Sequence, residues 1–191
     1  WIGGYYGAPG GAIPCGNITD RDDYIYQYWL TGDRRAFDVL KMWGEQFDAT
    51  IRSGDAWITR LVDGQPYGNW TRNIGGLLDR LTSLYAATWD ERFLHHADAL
   101  AALFRDFDYR ASLLKRAKDA EPDLKQIPGN SWYANWLSQG LFRYATVTGD
   151  EQVRQAAVDC YRTIADIGSG FDGGKVFTLN WCTYGYELTG D

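Results

Sequence analysis

The sequence predicts an all-α fold of repeated helical hairpins, and three observations predict it. A phrase closing on Asp recurs as YWLTGDRRAF, LYAATWDERF and RYATVTGDEQV, with a fourth copy, YELTGD, at 186–191. After Asp33, Asp90 and Asp150, apolar or small residues fall at matching offsets: Phe37, Phe93 with Leu94, and Val153; then Leu40, Ala97 and Ala157; then Phe47, Phe104 and Ile164. Spacing of three, four and seven is the period of a helix with one buried face. Finally, each Asp suits an N-cap, because its carboxylate can accept from the free N–H groups of a first turn. Gly32 and Gly149 just before it suit the left-handed turn that ends the preceding helix. One helix therefore runs into each phrase and another runs out.

In chain order, the incoming helices are predicted over 20–31, 70–88, 131–147 and 176–189, and the outgoing ones over 34–51, 91–107 and 151–167. Asp20 stands where the first helix expects a cap. The outgoing helices carry one apolar stripe and a charged back, as in DERFLHHADALAALF, which predicts an outer layer facing water. On that layer Glu45, Glu91, Glu151, Asp98 and Asp159 read as solvated acids; His96 reads as polar-facing, with His95 beside the stripe. The incoming helices, such as SWYANWLSQGLFRYATV and KVFTLNWCTYGYELT, are aromatic and nearly free of solvating charge, so they predict an inner layer buried on both sides. Between hairpins, AWITRLVDGQPYG predicts a short β-hairpin near 56–67 around Asp63-Gly64. The basic run LLKRAKDAEPDLK at 113–125 is diluted by acids and reads as a solvated connection. Alternating inner and outer helices with the hairpin as period predict a curved α/α solenoid or a closed α/α toroid.

The phrase LTGD followed by RRAFDVLKMWGEQF, together with LLDRLTSLYAATWDERFLHHADALAALF, resembles the hairpins of the six-hairpin glycosidase-like α/α toroids. That superfamily holds many glycoside hydrolases and polysaccharide lyases of extracellular polysaccharide breakdown. The resemblance implies an extracellular or periplasmic protein with a polysaccharide or oligosaccharide as partner. It lies in helix-packing residues, which specify a scaffold rather than a reaction. Three hairpins and one further incoming helix amount to about half of such a ring, which needs on the order of 300 residues. The expectation is a single domain over 1–191, part of a larger toroid. A missing part of its own chain, or a neighbouring subunit, would then lie against 176–189. The alternative is a complete seven-helix domain.

Composition bounds the rest. The 191 residues are 45% hydrophobic, enough for a real core. No apolar run approaches membrane-spanning length, so no membrane insertion is expected. A net charge of −6 and the absence of a basic stripe argue against a nucleic-acid partner. Cys15, Cys160 and Cys182 lack metal-ligand spacing, so neither a metal nor a cofactor is expected. Cys160 falls on a buried stripe, and a Cys160–Cys182 bridge is conceivable. Asn17 and Asn69 head N-glycosylation sequons.

The chemistry concentrates in the segments entering the inner helices: CGNITDRDDY, QPYGNWTRN, PGNSWYANW and SGFDGGKVFTLNW. Three contain Gly-Asn and three contain Asn-Trp. Indole faces stack on the C–H faces of pyranose rings while Asn and Arg bind hydroxyls, which makes Tyr67, Trp70, Arg72, Asn73, Asn130, Trp132, Tyr133, Trp136 and Trp181 the candidate sugar ligands. Each Trp has an alternative reading as core, and each Asn as a cap. Glycoside hydrolysis needs two carboxyl groups in different protonation states. Crowding in TDRDDY beside Arg21 can separate two pKa values, so Asp22 and Asp23 are the candidates, with Asp172 of GFDGG as second carboxylate. A lyase needs a Tyr or His base and a group to neutralise a uronate carboxylate; Tyr67, Asn69, Arg72, Asn73 and Tyr133 are of that style. The expected activity is hydrolase ahead of lyase. The rival class is a non-catalytic solenoid serving as a carbohydrate-binding, interaction or assembly module.

Overall fold

The computed structural model describes residues 22–52, 70–106, 130–167 and 183–190. All of the secondary structure among them is helical: α1 (Asp22–Thr31), α2 (Arg34–Arg52), α3 (Trp70–Thr88), α4 (Glu91–Arg105), α5 (Asn130–Thr148), α6 (Glu151–Ile167) and α7 (183–189). The predicted β-hairpin near 56–67 and the basic run 113–125 lie outside the described residues. No helix among the described residues is long and apolar enough to cross a membrane.

Among the described residues, a three-residue unit, Thr-x-Asp, builds the turns after α1, α3 and α5. Thr31, Thr88 and Thr148 each donate the side-chain hydroxyl to the carbonyl four residues back and accept the N–H of the Asp two residues on. The middle residue, Gly32, Trp89 or Gly149, takes a positive φ and closes the preceding helix with an N–H to its own fourth-back carbonyl. The Asp then caps the next helix: Asp33 accepts from Arg35 N–H, Asp90 from Arg92, and Asp150 from Gln152 and Val153. Thr189 and Gly190 repeat the first half of this geometry after α7.

α1, α3, α5 and α7 form one row and α2, α4 and α6 a second. α3 packs closely against α5, where a Cβ on Gly140 would run into the carbonyl oxygen of Gly75. Arg143, three residues on, reaches Asp79, four residues beyond Gly75, so the two helices run in the same direction. In the outer row Gly44 of α2 admits the ring of Phe93 from α4. Phe93, Ala97, Leu100, Ala101 and Phe104 make the buried stripe of α4, and Val153, Ala156, Ala157 and Cys160 that of α6. Complete burial of Phe93 or Phe104 contributes roughly 2–3 kcal/mol each. Leu40 and Ala97 are buried as the offsets predict, while Phe37 is half-buried. Cys160 is buried.

Two expectations need correction. Inner helices are not uniformly buried: residues 75–84 of α3 are enclosed on all sides, whereas α1 exposes Tyr26, Trp29 and Leu30, and α7 exposes Tyr186. The reason is position. α3 is flanked by α1 and α5 in its own row and backed by α2 and α4, while α1 and α7 stand at the ends of the described row. The outer histidines, in turn, exchange roles: His96 is half-buried against α2 while His95 is exposed. Glu45, Glu91, Glu151 and Asp98 are exposed as read, Glu45 and Asp98 with arginine partners from α4.

Candidate functional site

Asp22 and Asp23 open α1; Trp70, Arg72 and Asn73 form the first turn of α3; and Asn130, Trp132, Tyr133 and Trp136 occupy the first two turns of α5. At these positions the structure describes the helical backbone. Because α3 and α5 pack side by side in the same direction, their aromatic and polar first turns lie at one end of the pair. Asp172, Tyr67, Trp181, Asn17 and Asn69 lie outside the described residues.

Beyond that end, the α3–α5 seam carries buried polar residues that sequence reasoning did not single out. Asp79, Arg80, Thr82 and Ser83 of α3 and Ser138 of α5 are all buried. Nε of Arg143 lies 2.6 Å from Oδ1 of Asp79, and Nε2 of Gln139 donates to Oδ2 at 3.4 Å. The Thr82 hydroxyl is satisfied by the Leu78 carbonyl, 2.7 Å away in its own helix. The signal was present as Asp79-Arg80 inside the apolar run GGLLDRLTSL. Asp79 is 8% exposed and Arg143 22%, so the desolvation cost falls mainly on the carboxylate and is offset by its ion pair with Arg143. The effect of the pair is to fix the register of α3 on α5, and hence the alignment of their first turns.

The outer row is held by two further clusters. Asp48 of α2, with 3% of its side chain exposed, accepts from His96 at 2.9 Å and pairs with Arg52 of its own helix and Arg92 of α4. Burial pushes the Asp48 carboxyl up, but the hydrogen bond from His96 and the charges of Arg52, His96 and Arg92 outweigh it and hold the pKa below the usual carboxylate range. Arg92 also spans Glu45 and Asp90. At the far end of α4, Arg105 donates to Asp98, to the Tyr144 hydroxyl and to Asp150, while Tyr144 donates to Asp98 at 2.6 Å. Burial first, and then the hydrogen bond to Asp98, push the Tyr144 phenol above its usual range. The first turn of α4 thus meets the latter half of α2, and its last residue meets the cap of α6. Outer helices are stepped past one another rather than level.

Among the described residues no group of His, Cys, Asp or Glu is arranged to hold a metal ion. Comparison with protein-family models, with curated proteins and with solved structures returned no match.

Proposed function

We propose that this chain is part of a sugar-active α/α toroid that acts on a polysaccharide or oligosaccharide, by hydrolysis ahead of lyase chemistry. One observation carries the reading: two entries rich in Trp, Asn, Tyr and Arg begin parallel inner helices at one end of the α3–α5 pair. Stacking rings and hydroxyl-binding groups at one mouth are the components of a saccharide cleft. In this reading Asp22 or Asp23 at the start of α1 serves as one carboxyl group and Asp172 as the other. Their separation would be about 5–10 Å, the span of retaining and inverting geometries. For lyase chemistry Tyr67 or Tyr133 would be the base and Arg72 the partner of the uronate. The expected setting is extracellular or periplasmic. The flank of 176–189 on which Tyr186 is exposed would be covered by further chain or by a neighbouring subunit.

Substituting Asp22, Asp23 and Asp172 singly with Asn and assaying a panel of plant and microbial polysaccharides tests the hydrolase. Loss of about 100-fold or more in rate is expected for a true acid or base. Unchanged turnover in all three variants would move the chemistry elsewhere. The second reading, a non-catalytic interaction module, draws on the exposed row of Tyr26, Trp29 and Leu30 along α1. It predicts saccharide or protein binding with no turnover in any variant.

A further inference from the structure

Four turns in the described structure use a left-handed residue between Thr and the cap position, and three of them use glycine: Gly32, Gly149 and Gly190. The fourth is Trp89, at φ 57. A side chain there strains the backbone, and the glycine turns close the same hydrogen bonds without it. Nor does the core use the indole, which is 75% exposed and touches Tyr85 edge-on at 5.8 Å between ring centroids. Strain kept for a ring that contributes little to folding points to a use outside the fold. Trp89 also lies on a turn joining an inner to an outer helix, not on the flank of α1 or α7, so its exposure is independent of what neighbours those helices.

We infer that Trp89 is a saccharide-stacking platform separate from the cleft at the helix starts. It stands at the end of α3 opposite Trp70, a helix of 19 residues away, on the order of 28 Å at 1.5 Å per residue. The size of the platform selects the occupant. One indole with the edge of one half-buried phenol matches the face of a single pyranose ring, whereas a stable protein interface needs about 800 Å² from each partner. The residues beside it in the turn, Thr88, Asp90 and Glu91, are polar, and Glu91 is exposed as an acceptor for ring hydroxyls. Such a platform would hold a long chain while the cleft works on another part of it. This rests on the carbohydrate reading above.

The test is Trp89→Gly, which removes the ring and installs the residue preferred by the other turns. Affinity electrophoresis through gels containing soluble xylan, β-glucan or polygalacturonate reads retention, and urea unfolding reads stability. The expected result is binding to the retaining polysaccharide weakened about threefold to tenfold, the factor for one aromatic stacking contact, with an unfolding midpoint equal to or above that of the starting protein. Trp132→Ala run alongside separates the two proposals. Retention weakened by Trp132→Ala but untouched by Trp89→Gly overturns the platform and leaves the cleft standing. Retention of the starting protein by none of the gels overturns both.

Discussion

Nε2 of His96 lies 2.9 Å from Oδ1 of Asp48, and the two residues belong to successive outer helices. Asp48 is the acceptor around which this joint is built, and Arg92 reaches it from the same turn of α4. The folded pKa of Asp48 is held below that of an unfolded carboxylate, about 3.9. Its contribution is therefore present above about pH 4 and is lost as pH falls through the folded value. Asp48→Asn should lower the unfolding free energy by about 1–3 kcal/mol at neutral pH. Urea midpoints followed from pH 7 to pH 2 should decline less steeply in the variant than in the starting protein. An unchanged acid slope would show that the joint does not depend on this carboxylate.

At the inner seam the limiting contact is backbone on backbone. Gly140→Ala would drive a methyl group into the Gly75 carbonyl, which has no rotamer by which to withdraw. A loss of about 1–3 kcal/mol in thermal or urea unfolding is expected. Gly44→Ala meets the tip of the Phe93 ring instead, a side chain able to shift, and should cost less. An unchanged midpoint for Gly140→Ala would contradict the close approach of α3 and α5.

Tyr144 joins α5 to α4 through a hydroxyl that donates to Asp98 and accepts from Arg105. Tyr144→Phe should destabilise by about 1–2 kcal/mol, since the ring stays packed while the polar contacts go. A double-mutant cycle of Tyr144→Phe with Asp98→Asn should show coupling above 0.5 kcal/mol, the usual floor for groups in contact. Strict additivity would place the two residues in separate environments.

Gly149 has φ 74, with nothing near the position of an added Cβ. Gly149→Ala should therefore cost about 1 kcal/mol from backbone strain alone, read as a lower unfolding midpoint. The opposite sign expected for Trp89→Gly makes the pair a test of the turn geometry. A neutral Gly149→Ala would mean that the left-handed φ is not required there.

The helix pattern was legible because its causes are local. The period of Phe93, Ala97, Leu100 and Phe104, the capping carboxylates of Asp90 and Asp150 and the glycine turns each act within a few residues, so the chain alone specifies where helices start and stop. The order of inner and outer helices also follows from residues within each segment. What the chain alone did not disclose are the partners of its charged groups. Asp48 and His96 are 48 residues apart and Arg105 and Asp150 are 45 apart; they meet because the outer helices are stepped rather than level. That step depends on which side chains interlock across the seams, such as Phe93 over Gly44. The same applies to Asp79, which is buried because α3 has neighbours on every side and which meets Arg143 across the seam, not through the residues beside it in sequence. The residue types that enter α3 and α5 are a property of the sequence, whereas the alignment of those two entries at one end of the molecule was decided by the tertiary packing of Gly75 on Gly140.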